Sequence, residues 1–570
     1  MPNFLEAILA QLKRADGRVV LREIHGDRFA SVTGREFLDQ IHLVRAFVRS
    51  AGVQAGDRCT LLAANSIRWA AVHLALMAEG VIVVPLYSRQ APAELAGMMK
   101  DCQPRLIFAG EAALGEGVAQ AWPDAPRRVL FDEVLHHSAP QTRLPDAPMA
   151  RQDSDIVTII YTSGTSGEPK GVCLNVGNLT HMLSCTTERL DQLMGAMHEP
   201  DRVFHYLPFN FAASTILLMS CLMRESVLTL STDLNKLADE IRLAAPHYFL
   251  NVPTLLERVR RGVEEAIAKR HAIIRSLFAK ARNAWERQHV GRGRALDAFW
   301  LVVGRGLIFR KIRERFGPHL RALICGSAPL APETQQFFLM LGIPVLQAYG
   351  LTETTGICTL DDPRVPVDPG YVGSVISGIE MKLGENEEIV VRGPHIFPGY
   401  WNRPDETARV LHDGWFHTGD QGEVNVRGNW RISGRIKNLI ILNSGHNIAP
   451  EPIEEKIARF LPGAQQVVVV GNGRGYLCAL VTGAVESAEV QAALDALNPE
   501  LPHYRQIRKF TVVREVFSPE NGLLTANGKL RRDAIDARYA SDINAMYDSK
   551  GAREAVAAAG DRKAAGGQHA

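Results

Sequence analysis

The segment from Tyr161 to Val172 combines small hydroxylated residues, three glycines and one lysine. Glycine permits a positive φ, so consecutive backbone N–H groups can turn towards a single anion. The hydroxyl groups add further donors, and the lysine adds a mobile positive charge that suits a polyphosphate. The pattern predicts a phosphate-binding loop, and the alternative is a flexible Ser/Gly linker. The candidate ligands are Thr162, Ser163, Gly164, Thr165, Ser166, Gly167 and Lys170.

The residues before this loop favour the phosphate-binding interpretation. Residues 156–160 are Ile-Val-Thr-Ile-Ile, which is typical of a buried strand rather than of a linker. The loop lacks the Gly-Lys-Ser/Thr junction of a Walker motif, because glycine and proline occupy the corresponding positions. A nucleotide-binding loop of a different class is therefore expected.

Further short motifs follow the loop in a fixed order. Together with the loop they closely resemble the acyl-adenylate-forming superfamily of AMP-binding enzymes, which includes acyl-CoA synthetases, adenylation domains of peptide synthetases and firefly luciferase. The resemblance runs from about residue 30 to about residue 545. The motifs are Ile-Cys-Gly-Ser-Ala-Pro at 324–329, Tyr-Gly-Leu-Thr-Glu at 349–353, Val-Val-Arg-Gly at 390–393, Gly-Tyr-Trp at 399–401, Trp-Phe-His-Thr-Gly-Asp at 415–420, Gly-Arg-Ile-Lys at 434–437 and Asn-Gly-Lys at 527–529.

The resemblance implies activation of a carboxylic acid by ATP. The acid supplies the nucleophile, so the protein positions the reactants and neutralises charge on phosphate oxygens. Lys529 is expected to bridge the carboxylate and α-phosphate oxygens, Glu353 to bind Mg²⁺ and Thr352 to donate to the α-phosphate. The alternatives are a surface lysine for Lys529 and a surface glutamate in a turn for Glu353.

The same resemblance assigns the remaining nucleotide contacts. Tyr349 offers a flat face for adenine, although a core tyrosine is the alternative. Asp420 is expected to accept the ribose hydroxyls, and Arg435 to donate to the ribose from the far side of a cleft, with an interdomain salt bridge as the alternative. The other expected nucleotide-binding residues are Gly326, Ser327, Ala328, Gly350 and Ile432.

The second half-reaction is the attack of the CoA thiol on the acyl group. The resemblance implies that a small C-terminal domain rotates about a hinge at Lys437 to change the residues that face the substrate. This rotation is expected to withdraw Lys529 and to bring in the loop 444–448, where Gly445 lets the backbone lie close to CoA.

The pattern of elements predicts an α/β protein with a large N-terminal domain of mixed sheets and flanking helices, followed by a small, mobile α+β domain. The expected boundaries are 1–436 and 437–548, with a disordered tail at 549–570. Strands are predicted at 58–63, 81–85, 106–108, 436–442, 466–470 and 477–482, and helices at 67–79 and 453–460.

Residues 255–316 combine a helical apolar pattern with an excess of Arg and Lys. This insertion resembles the long-chain fatty acyl-CoA synthetases, particularly the bubblegum type. One interpretation is a solvated helical face, and the other is a basic surface that docks on anionic lipid.

Composition limits the other function classes. The formal net charge of +2 gives no reason to expect nucleic acid binding, and the eight cysteines show no paired Cys-x-x-Cys spacing. The most apolar run, 216–223, is too short to span a bilayer. The chain is expected in the cytoplasm, with any membrane contact peripheral at the inner face.

The sequence predicts a medium- to long-chain fatty acid as the substrate. The apolar run 209–223 and the small residues 326–328 indicate an apolar tunnel. Phe211 stands where many family members have histidine, so the wall between acyl and CoA tunnels is expected to differ. The alternatives are an aryl acid–CoA ligase, an enzyme that loads an acyl carrier protein instead of CoA, and a nucleotide-binding homologue without catalytic activity.

Overall fold

The computed structural model describes residues 3–136, 147–163, 169–196, 199–289, 291–518, 520–525 and 528–547. By its internal contacts the chain divides into two units. The first comprises Met1–Gly384, Ile389–Thr418 and Glu423–Ile432, and the second comprises Glu385–Glu388, Gly419–Gly422 and Ser433–Ala570. The domain boundary at Lys437 and the mobility of the C-terminal part stay predictions. The tail 549–570 lies outside the described residues.

The described residues form 26 strands in five sheets. In chain order the strands are β1 (Val19–His25), β2 (Arg28–Thr33), β3 (Arg58–Leu62), β4 (Ile82–Leu86), β5 (Leu106–Ala109), β6 (Arg128–Leu130), β7 (Ile156–Ser163), β8 (Pro169–Asn175), β9 (Asp201–His205), β10 (Ser226–Leu230), β11 (Tyr248–Asn251), β12 (Ala322–Cys325), β13 (Val345–Tyr349), β14 (Thr359–Leu360), β15 (Ser374–Val375), β16 (Glu380–Leu383), β17 (Glu388–Arg392), β18 (Gly399–Tyr400), β19 (Leu411–His412), β20 (Trp415–Val424), β21 (Trp430–Arg435), β22 (Ile440–Ile441), β23 (Asn447–Ile448), β24 (Ala464–Val470), β25 (Leu477–Gly483) and β26 (Ile507–Val513).

The same residues form 19 α-helices, and none of them is both long and apolar enough to cross a membrane. In chain order they are α1 (Phe4–Ala15), α2 (Gly34–Ser50), α3 (Ile67–Ala78), α4 (Pro92–Cys102), α5 (Ala112–Ala121), α6 (Phe131–Leu135), α7 (Val176–Met194), α8 (Ala212–Met223), α9 (Leu237–Ala244), α10 (Pro253–Ala268), α11 (Ala272–His289), α12 (Asp297–Gly304), α13 (Arg310–Arg313), α14 (Pro332–Met340), α15 (Pro404–Val410), α16 (Glu451–Phe460), α17 (Ser487–Leu497), α18 (Arg532–Arg538) and α19 (Ala540–Tyr547).

A seven-stranded sheet carries the strands on either side of the predicted phosphate loop. Its order is β18-β8-β7-β4-β3-β5-β6, with β4, β3 and β5 parallel and with β8 antiparallel to β7. All five residues of β4 are buried, as expected for a parallel strand covered on both faces. The strands predicted at 58–63, 81–85 and 106–108 and the helix predicted at 67–79 are confirmed, with ends shifted by one residue.

A nine-stranded sheet has the order β15-β14-β13-β12-β11-β9-β10-β1-β2. Within it β12 and β13 are parallel neighbours. The motif that begins at Gly326 follows β12, and the motif around Glu353 follows β13. Both motifs therefore lie at the carboxyl edge of the same sheet, where ligands of α/β proteins commonly bind.

The insertion 255–316 is helical, as predicted. It contains α10, α11 and α12, then a π-helical turn at Arg305–Phe309 that leads into α13. The buried side chains of this segment, including Phe278, Ile308 and Phe309, share one core cluster with Phe249 and Leu323 of the nine-stranded sheet.

The second unit contains a three-stranded sheet of order β24-β25-β26 with helices α16 to α19. The strands predicted at 466–470 and 477–482 and the helix predicted at 453–460 are confirmed, with ends shifted by up to two residues. The strand predicted at 436–442 is wrong. Residues Ile436–Asn438 form a 3₁₀ turn instead, and only Ile440–Ile441 is extended. The Asn438 amide donates to Glu451 Oε1 at 2.6 Å, which fixes this turn against α16.

These observations confirm the predicted α/β class, with mixed sheets and flanking helices in the large unit. All eight cysteines are buried as free thiols.

Candidate active site

Strands β7 and β8 place two candidate phosphate ligands directly opposite each other. Thr162 on β7 pairs with Lys170 on β8. Residues 164–167, the predicted tip of the loop, lie outside the described residues, as does the side chain of Ser163. Gly171 lies beside Lys170, and a Cβ there would come within 2.7 Å of Ile159 Cγ2. A glycine is therefore required on this strand, because the neighbouring side chains leave no room for a larger residue.

Lys170 lies in a partly buried, charged environment. Its Nζ forms an ion pair with Glu406 and lies 5.5 Å from the centroid of the Tyr400 ring. Burial lowers the pKa of Lys170, and the negative charge of Glu353 opposes that shift. Lys170 and Glu353, which the sequence assigns to phosphate and metal, therefore act on each other electrostatically in the structure.

Glu353 lies in the 3₁₀ turn Thr352–Thr354 that follows β13. The Tyr400 hydroxyl donates a hydrogen bond to Glu353 Oε1 at 2.9 Å. Burial, followed by the negative charge of Glu353, raises the pKa of Tyr400 well above its ordinary value. Tyr400 therefore stays a neutral donor that orients the carboxylate of Glu353.

The short segment 397–401 connects the strands of the phosphate loop to the turn that carries Glu353. The N–H of Phe397 donates to the carbonyl of Glu353 at 2.9 Å, and the N–H of Trp401 donates to the carbonyl of Gly171 at 2.7 Å. Between these two bonds, β18 pairs antiparallel with β8. The segment thereby fixes the separation of the two candidate sites.

Two side chains hold the residues just before this segment in place. The Asn178 amide donates to the carbonyls of Pro394 and Ile396, each at 2.8 Å. The Thr355 hydroxyl donates to the carbonyl of His395 at 2.7 Å. Asn178 is only 3% exposed. It belongs to none of the sequence motifs, so its role could not be predicted from the sequence.

The geometry at Glu353 fits a magnesium ion that also binds substrate phosphates. Among the described residues Oε2 of Glu353 has no hydrogen-bond partner, so one hard oxygen is available. The described part of the chain also holds no cluster of three or more His, Cys, Asp or Glu side chains that could bind a metal. Magnesium commonly binds through one or two carboxylates plus phosphate oxygens and water, which matches this single carboxylate.

The candidate adenine-binding residues follow β12 and β13. Ser327 has a φ of 74° and, like Ala328, is exposed, whereas Gly326 is buried. At Gly350 a Cβ would come within 2.4 Å of the carbonyl oxygen of Gly356, so the two backbone segments are in direct contact.

The side chain of Tyr349 is partly buried and packs on a small cluster formed by Cys358, Val372 and Trp430, together with Ile432. Tyr349 therefore packs against this core cluster with part of its side chain. Its contact with adenine stays a prediction.

Asp420 and Arg435 are brought together, although the sequence placed them on opposite sides of a cleft. Arg435 Nε lies 2.8 Å from Asp420 Oδ1, and both residues belong to the second unit. Asp420 is 3% exposed. This ion pair lies within one unit, and both ribose contacts stay predictions.

Lys529 and Gly445 belong to exposed loops of the second unit. The backbone of Lys529 exchanges hydrogen bonds with Thr525, donating to Oγ1 at 3.1 Å, and Gly528 before it has a φ of 73°. Gly445 has a φ of 81°, and a Cβ there would meet no atom within 4 Å. The positive φ, rather than lack of space, requires glycine at 445, and the CoA contact stays a prediction.

The apolar run 209–223 is mostly part of the core. Within it Phe211, Ala213 and Met223 are the apolar residues that remain partly exposed. The first turn of α8 lies beside the loop that follows Glu353, since a Cβ at Gly356 would be 3.6 Å from Ile216 Cγ1. The apolar tunnel formed with residues 326–328 stays a prediction.

Sequence reasoning missed the roles of Tyr400 and Glu406. The Gly-Tyr-Trp motif at 399–401 was recognisable, but the sequence did not predict a role for its tyrosine. Tyr400 and Glu353 are 47 residues apart in the chain, so their hydrogen bond is visible only in the folded structure.

Known protein families and relatives match this chain over most of its length. The sequence profile of the AMP-binding enzymes matches residues 9–401, and that of the AMP-binding enzyme C-terminal domain matches residues 437–551. Long-chain-fatty-acid–CoA ligase FadD15 of Mycobacterium bovis is 28% identical over 93% of this chain and 95% of its own length. Long-chain-fatty-acid–CoA ligase ACSBG2 of Rattus norvegicus is 24% identical over 95% and 92%.

Two solved structures share the fold at lower identity. ATP-bound MatB from Rhodopseudomonas palustris superposes with a TM-score of 0.72 at 22% identity, covering 94% of this chain and 99% of that one. O-succinylbenzoate coenzyme A synthetase (MenE) of Bacillus subtilis, in complex with ATP and magnesium ion, gives a TM-score of 0.72 at 20% identity, with 94% and 99% covered.

We predict that Tyr400→Phe raises the magnesium concentration for half-maximal ATP–pyrophosphate exchange about tenfold, because a hydrogen bond to a charged group contributes about 1.5 kcal/mol. A magnesium titration measures this value. Tyr539→Phe is the matched control, since it removes a 2.8 Å hydrogen bond to Glu515 in the second unit. Equal magnesium dependence in the two variants would contradict the role of Tyr400.

Proposed function

Since the chain belongs to the family of AMP-binding enzymes, we propose that it is an ATP-dependent fatty acid–CoA ligase. The observation that carries this proposal is the orientation of Glu353 by Tyr400 beside Lys170. This arrangement supplies one metal-binding oxygen and one mobile cation, which a polyphosphate substrate requires. Similarity over almost the full length to proteins named long-chain-fatty-acid–CoA ligases supports the choice of acid and acceptor.

In the first half-reaction a carboxylate oxygen of the fatty acid attacks the α-phosphorus of ATP, and pyrophosphate leaves. Lys529 neutralises charge on the carboxylate and α-phosphate oxygens, while Thr352 donates to the α-phosphate. Residues 162–167 and Lys170 hold the β- and γ-phosphates. Glu353 holds Mg²⁺, which when bound neutralises charge on the phosphate oxygens.

The proposal assigns the nucleoside contacts residue by residue. Gly326, Ser327, Ala328, Tyr349 and Gly350 contact the adenine, and Ile432 packs near it. Asp420 accepts the ribose hydroxyls and Arg435 donates to the ribose. The ion pair between these last two side chains orients the Asp420 carboxylate.

In the second half-reaction the CoA thiolate attacks the acyl carbonyl carbon, and AMP leaves. The C-terminal domain rotates about Lys437, so Lys529 is withdrawn and the loop around Gly445 lies along CoA. The positive φ of Gly445 supports this assignment, because the exposed backbone there can approach a ligand closely.

Two alternatives use the same first half-reaction. An enzyme that loads an acyl carrier protein, or an aryl acid–CoA ligase, would need the same groups around ATP. CoA is preferred as the acceptor because the full-length relatives carry that activity in their names. We also propose a cytoplasmic location with peripheral contact at the inner face of the membrane, for which the basic insertion 255–316 is the supporting feature.

We predict that Lys529→Ala lowers acyl-adenylate formation by about 100-fold or more, as for loss of one electrostatic group at a reacting centre. Thioester formation from preformed acyl-adenylate stays within about threefold of the wild type, because this lysine serves only the first step. Rapid-quench measurement of each half-reaction tests this, with Lys456→Ala of the same unit as control. Equal loss in both steps would refute the assignment.

The substrate is tested with a series of straight-chain acids from acetate to stearate. Each buried methylene contributes about 0.8 kcal/mol, so kcat/KM should rise up to about fourfold per methylene until the tunnel is filled. Pyrophosphate release in the presence of CoA is the measurement. A preference for acetate or benzoate over dodecanoate would defeat the fatty acid proposal and leave the adenylation chemistry standing.

A further inference from the structure

The helix α12 and its continuation through the π-helical turn have a buried inner face. Leu301, Ile308, Phe309 and Ile312 are buried on this side. A Cβ at Gly304 would come within 2.5 Å of Ala281 Cβ, so α12 packs directly against α11. The side chains of the inner face therefore belong to the hydrophobic core of the first unit.

The same stretch also exposes a second apolar face. Leu296 is 69% exposed, Phe299 55%, Val302 67% and Leu307 56%. Phe299 and Val302 are three residues apart on α12, Leu296 directly precedes this helix, and Leu307 lies in the π-helical turn that follows it. We call these four residues the outer face of α12. Ile273 at the beginning of α11 is 69% exposed as well.

This exposure is concentrated rather than scattered. Eight large apolar side chains of the described residues are more than half exposed, and these five are among them. Single exposed apolar residues are ordinary, whereas several within one short stretch, as at 296–307, mark an interaction surface. The other three, Val365, Val426 and Ile441, lie in separate loops and strands.

The charge around the outer face is strongly positive. Residues 255–316 contain 16 Lys and Arg against 6 Asp and Glu, while the whole chain contains 64 against 62. The rest of the chain is therefore net acidic. Exposed cations flank the outer face in sequence, and Lys280 Nζ lies 4.4 Å from the centroid of the Trp300 ring. These flanking cations are Arg292 and Arg294 before the outer face, Arg305 between Val302 and Leu307, and Lys311 and Arg310 after it, where Arg310 also pairs with Glu314.

We propose that the outer face of α12 docks on an anionic lipid bilayer. Phe299, Val302 and their neighbours enter the boundary between headgroups and acyl chains, and the flanking cations contact the anionic headgroups. A second copy of the chain fits less well, because a two-fold interface would place the same excess of positive charge on both sides. The proposal refines the membrane contact of the proposed function, on which it rests, by naming the surface and adding apolar insertion to charge attraction.

The first test compares two double variants with the same change in charge. Phe299→Glu/Val302→Glu alters the outer face, and Val365→Glu/Val426→Glu alters two exposed apolar residues elsewhere in the first unit. Sedimentation with vesicles of phosphatidylcholine and phosphatidylglycerol at low salt measures partition. We expect at least a tenfold loss of partition for the first variant and less than a twofold loss for the second. Equal partition of the two variants would overturn the proposal.

The second test reports insertion directly. All eight native cysteines are buried, so a cysteine introduced as Val302→Cys can be labelled selectively with a polarity-sensitive dye. Anionic vesicles should shift the emission of this dye to the blue, and nitroxide-labelled lipids should quench it, whereas a dye at Val426→Cys should not respond. A solvent-like emission at 302 on sedimented protein would show that another surface docks.

Two further readouts separate the remaining outcomes. Light scattering of the same variants detects self-association, and a dimer that only Phe299→Glu/Val302→Glu dissociates, with vesicle partition unchanged, would assign the outer face to a second copy and overturn the proposal. Turnover of a soluble short-chain acid should be equal in all variants. Because vesicle partition is measured without turnover, its failure is distinguishable from failure of the proposed ligase activity.

Discussion

The candidate active site depends on the backbone connection made by residues 397–401. This segment bonds through Phe397 to the turn that carries Glu353 and through Trp401 to the strand that carries Lys170. Lys170 lies on β8 of the seven-stranded sheet, whereas Glu353 lies in the turn that follows β13 of the nine-stranded sheet. In the proposed function Glu353 binds the metal and Lys170 binds the phosphates of one substrate, so this connection sets the geometry of the proposed chemistry.

Within the segment 397–401, Tyr400 contacts both Glu353 and Lys170. Its hydroxyl orients the Glu353 carboxylate, and its ring lies beside the Lys170 ammonium. Glu406 pairs with Lys170 in this structure. Under the proposed function, a triphosphate would compete with Glu406 for the Lys170 ammonium.

Some of this was predictable from the sequence because it depends on local pattern. The apolar strand before the phosphate loop, the alternation of strands and helices and the motif residues after β12 and β13 all follow from neighbouring residues. Contacts between distant residues did not follow in this way. The bond from Tyr400 to Glu353 and the pairing of Asp420 with Arg435 needed the fold.

The local sequence also gave little information on three other segments of the chain. Residues 436–442 look like a strand, yet hydrogen bonding of Asn438 to Glu451 favours a turn. Most of the run 209–223 is buried, and its part in an apolar tunnel stays a prediction. In the insertion, the basic residues were visible in the sequence. The exposed apolar residues were not predictable in the same way, because their exposure depends on which face of α12 packs against α11.

The most direct test of the proposed activity follows the oxygen atoms of the acid. Dodecanoate labelled with ¹⁸O in its carboxylate is incubated with the protein, ATP, Mg²⁺ and CoA, and the products are analysed by mass spectrometry. Attack of the carboxylate on the α-phosphorus leaves one labelled oxygen in AMP when the thioester forms. We predict dodecanoyl-CoA together with AMP that carries one ¹⁸O. Unlabelled AMP, or release of ADP and labelled phosphate, would contradict the account.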